Sequence, residues 1–404
     1  MRLSALVCAQ NAAANAPPLW KMNSQTTKYH PLPALDGLRG LACLLVIFCH
    51  AGYVHFVPLL RGIGSFGVMI FYTLSGFLMA YHYFLEGFSA PYWTAFLIRR
   101  FIRVYPAFFV ATFGYLLLER YLPHGFPLTQ GEGGIAGLIP SWLLCESKGV
   151  FWTIPVEIKF YLVYPLIAYG FFLLSTRIAF TITMVFGAGL FFVAINKGFL
   201  LPQGSFLYFF SGALSAIALK KCKLDKVKPV YWKIAIYVSP IVFYFWVRSL
   251  DYAGIWARSW LLAPLVALGI LSIVKCRSIV HQVLASPLFR FIGHISYSLY
   301  LVHWFVINAA RIIFPGISLF VFALVLLAGW IYYLCIESPC SRMARDASSA
   351  FFERYGQEKL SCVIFGGPRT SFRRILLVLS AESRKLLRRV AGKALTYLES
   401  WQSG

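Results

Sequence analysis

Residues Leu35–Gly52 read LDGLRGLACLLVIFCHAG. Ten residues separate Arg39 from His50, and nearly all are apolar. Such a run is long enough to enter a bilayer, where an ionisable side chain costs several kcal/mol and faces a cavity or a partner. Eleven residues at about 100° each turn a helix roughly 20° past three full turns. Arg39 and His50 therefore share one helix face, roughly 16 Å apart along the axis. An arginine at the mouth of a bundle can hold a phosphate or a carboxylate. A neutral histidine further in can accept a proton, or can simply hydrogen-bond across helices. Asp36 and Gly37, just before the arginine, add weight to the functional reading.

Working outward, the whole chain has this character. Of 404 residues, 59% are hydrophobic and only 13% charged, against about a quarter charged in a soluble domain. Mean hydropathy is +0.72. The expected fold is an all-α integral membrane protein with one helix bundle. Net charge is +23, with the positives gathered in loops and at the C-terminus. That pattern points to membrane topology and anionic ligands, not to a nucleic-acid surface. The nine cysteines include no CxxC and no Cys/His cluster at metal spacing. They read as small hydrophobic filler, with no metal site.

Hydropathy predicts ten spans, at roughly 36–57, 64–83, 104–121, 150–174, 178–195, 204–219, 232–249, 257–274, 294–313 and 317–337. Several approach the ~20 residues that a ~30 Å hydrocarbon core requires. The loops give an independent check. With a cytoplasmic N-terminus, the inner loops carry Arg99, Arg100 and Arg103, then Arg177, then Lys220, Lys221, Lys223, Lys226 and Lys228, then Lys275, Arg277 and Arg290. The outer loops carry far fewer, so both termini are expected on the cytoplasmic side. Residues 1–34 read as a cytoplasmic segment without a cleavable signal peptide, starting at Met1 or Met22. Residues 35–340 form the transmembrane domain. Residues 341–404 form a basic tail, and 371–395 within it (SFRRILLVLSAESRKLLRRVAGKAL) suit an amphipathic helix on an anionic inner leaflet. A disordered tail is the other reading.

Ionisable and polar residues inside the spans define the candidate sites. In GHISYSLYLVHW, Ser296, Tyr300 and His303 are spaced i, i+4, i+7 on one face. They form either a functional stripe or a polar seam between helices. In FWTIPVEIKFYLVYP, Glu157 lies in an apolar helix. It can pair with a cation, act as a base or hold an acceptor hydroxyl. Lys159, two residues on, points elsewhere. In RRFIRVYP, Arg99, Arg100 and Arg103 suit either an inside-positive flank or a phosphorylated ligand. In FYTLSGF, Ser75-Gly76 permits close helix approach. Glu337, before Ser338-Pro339, is expected to play a structural role, pairing with an inner-loop arginine.

In order along the chain, these motifs resemble the membrane-bound acyltransferase-3 family of O-acyltransferases. Arg39 and His50 match its arginine, ten residues, histidine signature. FYTLSGFLM, RRFIRVYP, FWTIPVEIKFYLVYP, GHISYSLYLVH and CIESP match its later stretches, with Thr153 and Ile154 standing where the family has Ser and Leu. The resemblance implies a ten-helix bundle in a bacterial inner membrane. It implies transfer of an acyl group, often acetyl, from cytoplasmic acyl-CoA to a hydroxyl of a carbohydrate, glycolipid or exported glycan such as lipopolysaccharide. On this resemblance Arg39 and His50 line the donor site, with His50 the base or acyl handler. Arg99, Arg100 and Arg103 face the CoA phosphates. Glu157 and His303 serve the acceptor side or support the site, as do Asp36, Ser75, Ser296 and Tyr300. A transporter or flippase of a lipid-linked substrate is the rival reading, since buried charge and proline-broken helices suit it too. A scaffold docking partners through its basic tail is a third.

Overall fold

The computed structural model describes residues 32–51, 62–83, 90–121, 135–145, 147, 149–173, 205–222, 224–248, 262–313 and 319–356. Among them every regular element is helical. In chain order these are α1 Pro33–His50, α2 Ile63–Tyr83, α3 Ala90–Tyr121, α4 Ile135–Trp142, α5 Thr153–Leu173, α6 Ser205–Lys221, α7 Pro229–Arg248, α8 Ala263–Lys275, α9 Ile279–Leu284, α10 Pro287–His294, α11 Ser296–Ile313, α12 Leu319–Tyr332 and α13 Ser338–Gly356. A π-helical turn, Tyr333–Glu337, joins α12 to α13.

The expected spans meet these helices with three corrections. The span at 178–195 and the segment 371–395 lie outside the described residues. Each other span falls on a helix. The first was expected to run to residue 57, but α1 ends at His50, so the histidine closes its helix and does not sit within it. The third was expected to start at 104, with the arginines in a loop. Instead α3 starts at Ala90 and carries RRFIRVYP in its interior, with Pro106 inside. A proline there removes a backbone hydrogen bond and crowds the preceding turn. Neighbouring helices hold the chain on both sides of it: Tyr297 donates to the Val104 carbonyl at 2.8 Å and Tyr332 donates to that of Ala107. The last span was expected to close at 337. The chain instead stays helical to Gly356, because the π turn falls just before Pro339 and accommodates its missing N–H. The described residues up to Ser349 belong to one compact unit.

Helix α1 is the hub, packing on α2, α8, α9, α10 and α11. Helix α2 also packs on α6, and glycines set that spacing. A Cβ on Gly76 would lie 1.8 Å from the Phe209 carbonyl oxygen, and one on Gly212 would lie 1.9 Å from that of Thr73. The two backbones meet directly, as small residues allow between apolar helices. The α1–α10 contact is equally close: a Cβ on Gly293 would lie 1.8 Å from the Asp36 carbonyl oxygen.

Outward, α7 exposes Val230, Ile234, Val238, Ile241 and Phe245, and α12 exposes Phe320, Leu327, Trp330 and Ile331. Soluble monomers rarely show such apolar faces, whereas lipid is their natural solvent. Among the described residues, Pro33–His50, Ile63–His82 and Phe320–Phe351 are long and apolar enough to cross a membrane. The chain is a membrane protein.

Candidate active site

Three helices bring charge, and a fourth a hydroxyl, to one cavity of about 90 Å³. Helix α1 contributes Arg39, α2 contributes Ser75, α3 contributes Arg100 and Arg103, and α5 contributes Glu157 and Tyr161. Helix α11 closes it with Ser296, Tyr297 and Tyr300. The walls between them are largely aromatic and aliphatic, including Phe71, Tyr72 and Ile154.

Each polar group has a distinct setting. Glu157 accepts hydrogen bonds at Oε1 from Ser75 at 2.9 Å and from the Tyr161 hydroxyl. Lys159 does not pair with it, and donates instead to the Cys145 carbonyl at 2.7 Å. Arg100 stacks its guanidinium over Phe96 and Tyr161, at 5.7 and 5.5 Å from the ring centroids. Cation–π contacts of this kind hold the head group without neutralising it. Arg103 lies 3.8 Å from Glu337 Oε1, and the Glu337 side chain is only 1% exposed. The other oxygen of Glu337 accepts from the backbone N–H and the hydroxyl of Ser298, at 3.2 and 2.6 Å. Glu337 therefore pairs with an arginine as expected, although that arginine sits on a helix and not in a loop.

Arg39 is half-buried, with Arg100, Arg103, Glu157 and Tyr161 as its electrostatic neighbours. Among the described residues, none hydrogen-bonds its guanidinium or pairs with it within 4 Å. Among the described residues, three arginines line the cavity against Glu157, with Glu337 beside Arg103, so positive charge exceeds negative there, which suits an anionic ligand.

The two histidines meet outside this lining. His50 Nδ1 lies 2.8 Å from His303 Nε2, with the rings edge to edge, their planes 11° apart and their centroids 5.1 Å apart. His303 Nδ1 lies 2.6 Å from the Tyr300 carbonyl oxygen. His303 is completely buried. Ser296, Tyr300 and His303 do share one face of α11: the first two line the cavity and the third meets His50 one turn further on. The Tyr300 hydroxyl accepts from Thr153 at 2.8 Å and donates to the Val150 carbonyl, so the cavity wall before the histidines is rigidly held. Ser296 donates to the Gly293 carbonyl at 2.8 Å.

Two predicted residues reach neither the cavity nor the histidine pair. Asp36 is exposed in the first turn of α1, where a carboxylate favours the helix dipole. Arg99 is exposed and donates to Ser348 Oγ at 3.1 Å, tying α3 to α13. Consecutive helical residues point about 100° apart, so Arg99 and Arg100 serve different places. Sequence reasoning passed over Tyr161, although its i+4 spacing from Glu157 was a usable signal. It also passed over Tyr297, Ser298 and His294, for which no local pattern pointed to the site. His294 lines the cavity and lies 2.7 Å from the Tyr333 hydroxyl.

Comparison with known proteins gives the family of the chain. The profile of the acyltransferase-3 family, described as an acyltransferase domain, matches residues 32–336. The acyltransferase MdmB of Streptomyces mycarofaciens is 29% identical over 157 residues, covering 33% of this chain and 38% of that protein. No solved structure matches. The matched residues contain every group of the cavity and both histidines. Residues 32–336 are an acyltransferase domain, and the chain belongs to the acyltransferase-3 family.

Proposed function

We propose that this protein is an O-acyltransferase of the bacterial inner membrane, moving an acyl group, in the first instance acetyl, from cytoplasmic acyl-CoA to a hydroxyl of a carbohydrate or exported glycolipid. In this reading the bundle has ten spans and both termini are cytoplasmic. One observation carries the reading: Arg39, Arg100 and Arg103 line one cavity with Tyr300, which is one helical turn from the paired histidines. A donor with an anionic head and a thin thioester arm fits that sequence of groups. The arginines hold the phosphates, and the arm reaches towards His50.

His50 then acts as general base. The acceptor oxygen attacks the thioester carbonyl while its proton passes to His50. The new C–O bond forms, the C–S bond breaks, and the thiolate of CoA takes up the proton. An alcohol deprotonates far above neutral pH, so such a base contributes roughly 10²–10⁴ in rate. Glu157, held by Ser75 and Tyr161, accepts a hydrogen bond from the acceptor hydroxyl in this scheme. No metal takes part in this scheme.

The test is transfer of labelled acetyl from acetyl-CoA into envelope glycans by membranes holding wild type, His50→Ala or no enzyme. Label present with wild type and lost with His50→Ala is the expected result. Equal label in both removes His50 from the chemistry. Absence of label, together with no acetyl-CoA binding by the purified protein, overturns the donor.

A further inference from the structure

We infer that His303 is a positioning residue that fixes the tautomer of His50, placing the proton on Nδ1 and the lone pair on Nε2. The inference rests on the reading of His50 as general base and adds which ring atom performs it.

The argument starts from a group that cannot donate. The Tyr300 carbonyl oxygen only accepts, and it lies 2.6 Å from His303 Nδ1. His303 Nδ1 therefore carries a proton. The ring is fully buried, and its nitrogens meet that carbonyl, the backbone of Leu299 and His50, none of them a carboxylate. A second proton would make an imidazolium with no counter-charge on it, which a buried apolar site disfavours. His303 is thus neutral with its lone pair on Nε2. That lone pair faces His50 Nδ1 at 2.8 Å, so His50 Nδ1 must donate. A neutral imidazole has only one N–H, and the lone pair of His50 therefore sits on Nε2.

This order is not what water would choose, since a free neutral imidazole of histidine prefers its proton on Nε2. The backbone of α11 reverses that preference through two rings. The Tyr300 carbonyl is well anchored, because the same residue's side chain is tied to Thr153 and Val150. The His50 ring is also pinned on its edge by Trp304, 5.5 Å between centroids. The relation is that of a base and its orienting group, with imidazole in the place a carboxylate often takes.

The first readout is independent of activity. Full-length protein carrying ¹⁵N-histidine is reconstituted in lipid vesicles and studied by solid-state NMR at a pH where the rings are neutral. The His50 signals are identified by their loss in His50→Asn. A protonated Nδ1 and an unprotonated Nε2 on His50 are expected, and the opposite assignment overturns the inference. The second readout is kinetic. His303→Leu removes the acceptor and is expected to lower kcat about 10- to 100-fold with the donor KM unchanged, and to move the His50 proton to Nε2. His303→Gln keeps an amide oxygen able to accept from His50 Nδ1 and is expected to restore most of kcat and the wild-type tautomer. Wild-type kcat in His303→Leu overturns the positioning role. Full activity in His50→Asn strikes instead at the general-base reading, and the NMR assignment separates the two failures.

Discussion

Replacing Gly76 by alanine tests the packing that carries the site. The added Cβ would lie 1.8 Å from the Phe209 carbonyl oxygen, about 1.6 Å short of the 3.4 Å at which ordinary contact begins. The obstruction is backbone of α6, so no side chain can rotate away. Helices α2 and α6 must separate by an ångström or more, and Gly212, whose Cβ would strike the Thr73 carbonyl at 1.9 Å, sits in the same seam. Overpacking a tight interior costs about 1–3 kcal/mol, occasionally more, and an unyielding backbone contact belongs at or above the top of that range. Ser75 adjoins the seam and donates to Glu157 at 2.9 Å, so acyl transfer should fall with stability. The assay is thermal unfolding in detergent, followed by size-exclusion and transfer measurements. Gly76→Ala and Gly212→Ala should each lower Tm strongly. The double variant should cost less than their sum, because one separation relieves both clashes. Gly114 on α3 is the control: a Cβ there meets nothing within 4 Å, and alanine should be neutral or stabilising by up to about 1 kcal/mol. Wild-type Tm in Gly76→Ala would refute the direct backbone contact.

Two other substitutions probe the charged groups. Arg103→Gln should raise the donor KM at least about tenfold while Arg99→Gln leaves it near wild type, because only Arg103 lines the cavity; equal effects in acyl-CoA titrations would contradict this division. Glu337→Gln keeps an acceptor for Ser298 and loses the charge opposite Arg103, whose own side chain is 38% exposed and solvent-screened. A loss of only about 1 kcal/mol is therefore expected, whereas Glu337→Ala, which strands the Ser298 donors, should cost about 1–3 kcal/mol more; chemical unfolding would show whether the order holds.

Hydropathy was enough to mark where helices run, because a lipid solvent demands apolar stretches of fixed length. It failed at ends and breaks. The proline of RRFIRVYP reads as a helix start, yet tyrosine hydroxyls from α11 and α12 serve the carbonyls beside it and α3 continues through. Pro339 reads as a stop, yet a π turn carries the chain past it. In both cases the deciding groups lie far away in sequence. Among the candidates, Arg39, Ser75, Arg100, Arg103, Glu157, Ser296 and Tyr300 share the cavity and His50 and His303 pair beside it, whereas Asp36 and Arg99 reach neither.

The sequence by itself determined that this is a helical membrane protein, that Arg39 and His50 lie on one side of α1, and that Ser296, Tyr300 and His303 lie on one side of α11. Those conclusions follow from solvent polarity and a 3.6-residue period, which are local. Which faces meet was decided only in three dimensions. His50 finds His303 from 253 residues away, and Glu157 finds Ser75 from 82. A periodic pattern says which way a side chain points, but not what stands opposite. That is set where glycines let backbones touch, between α2 and α6 and between α1 and α10, and hold the helices at one spacing.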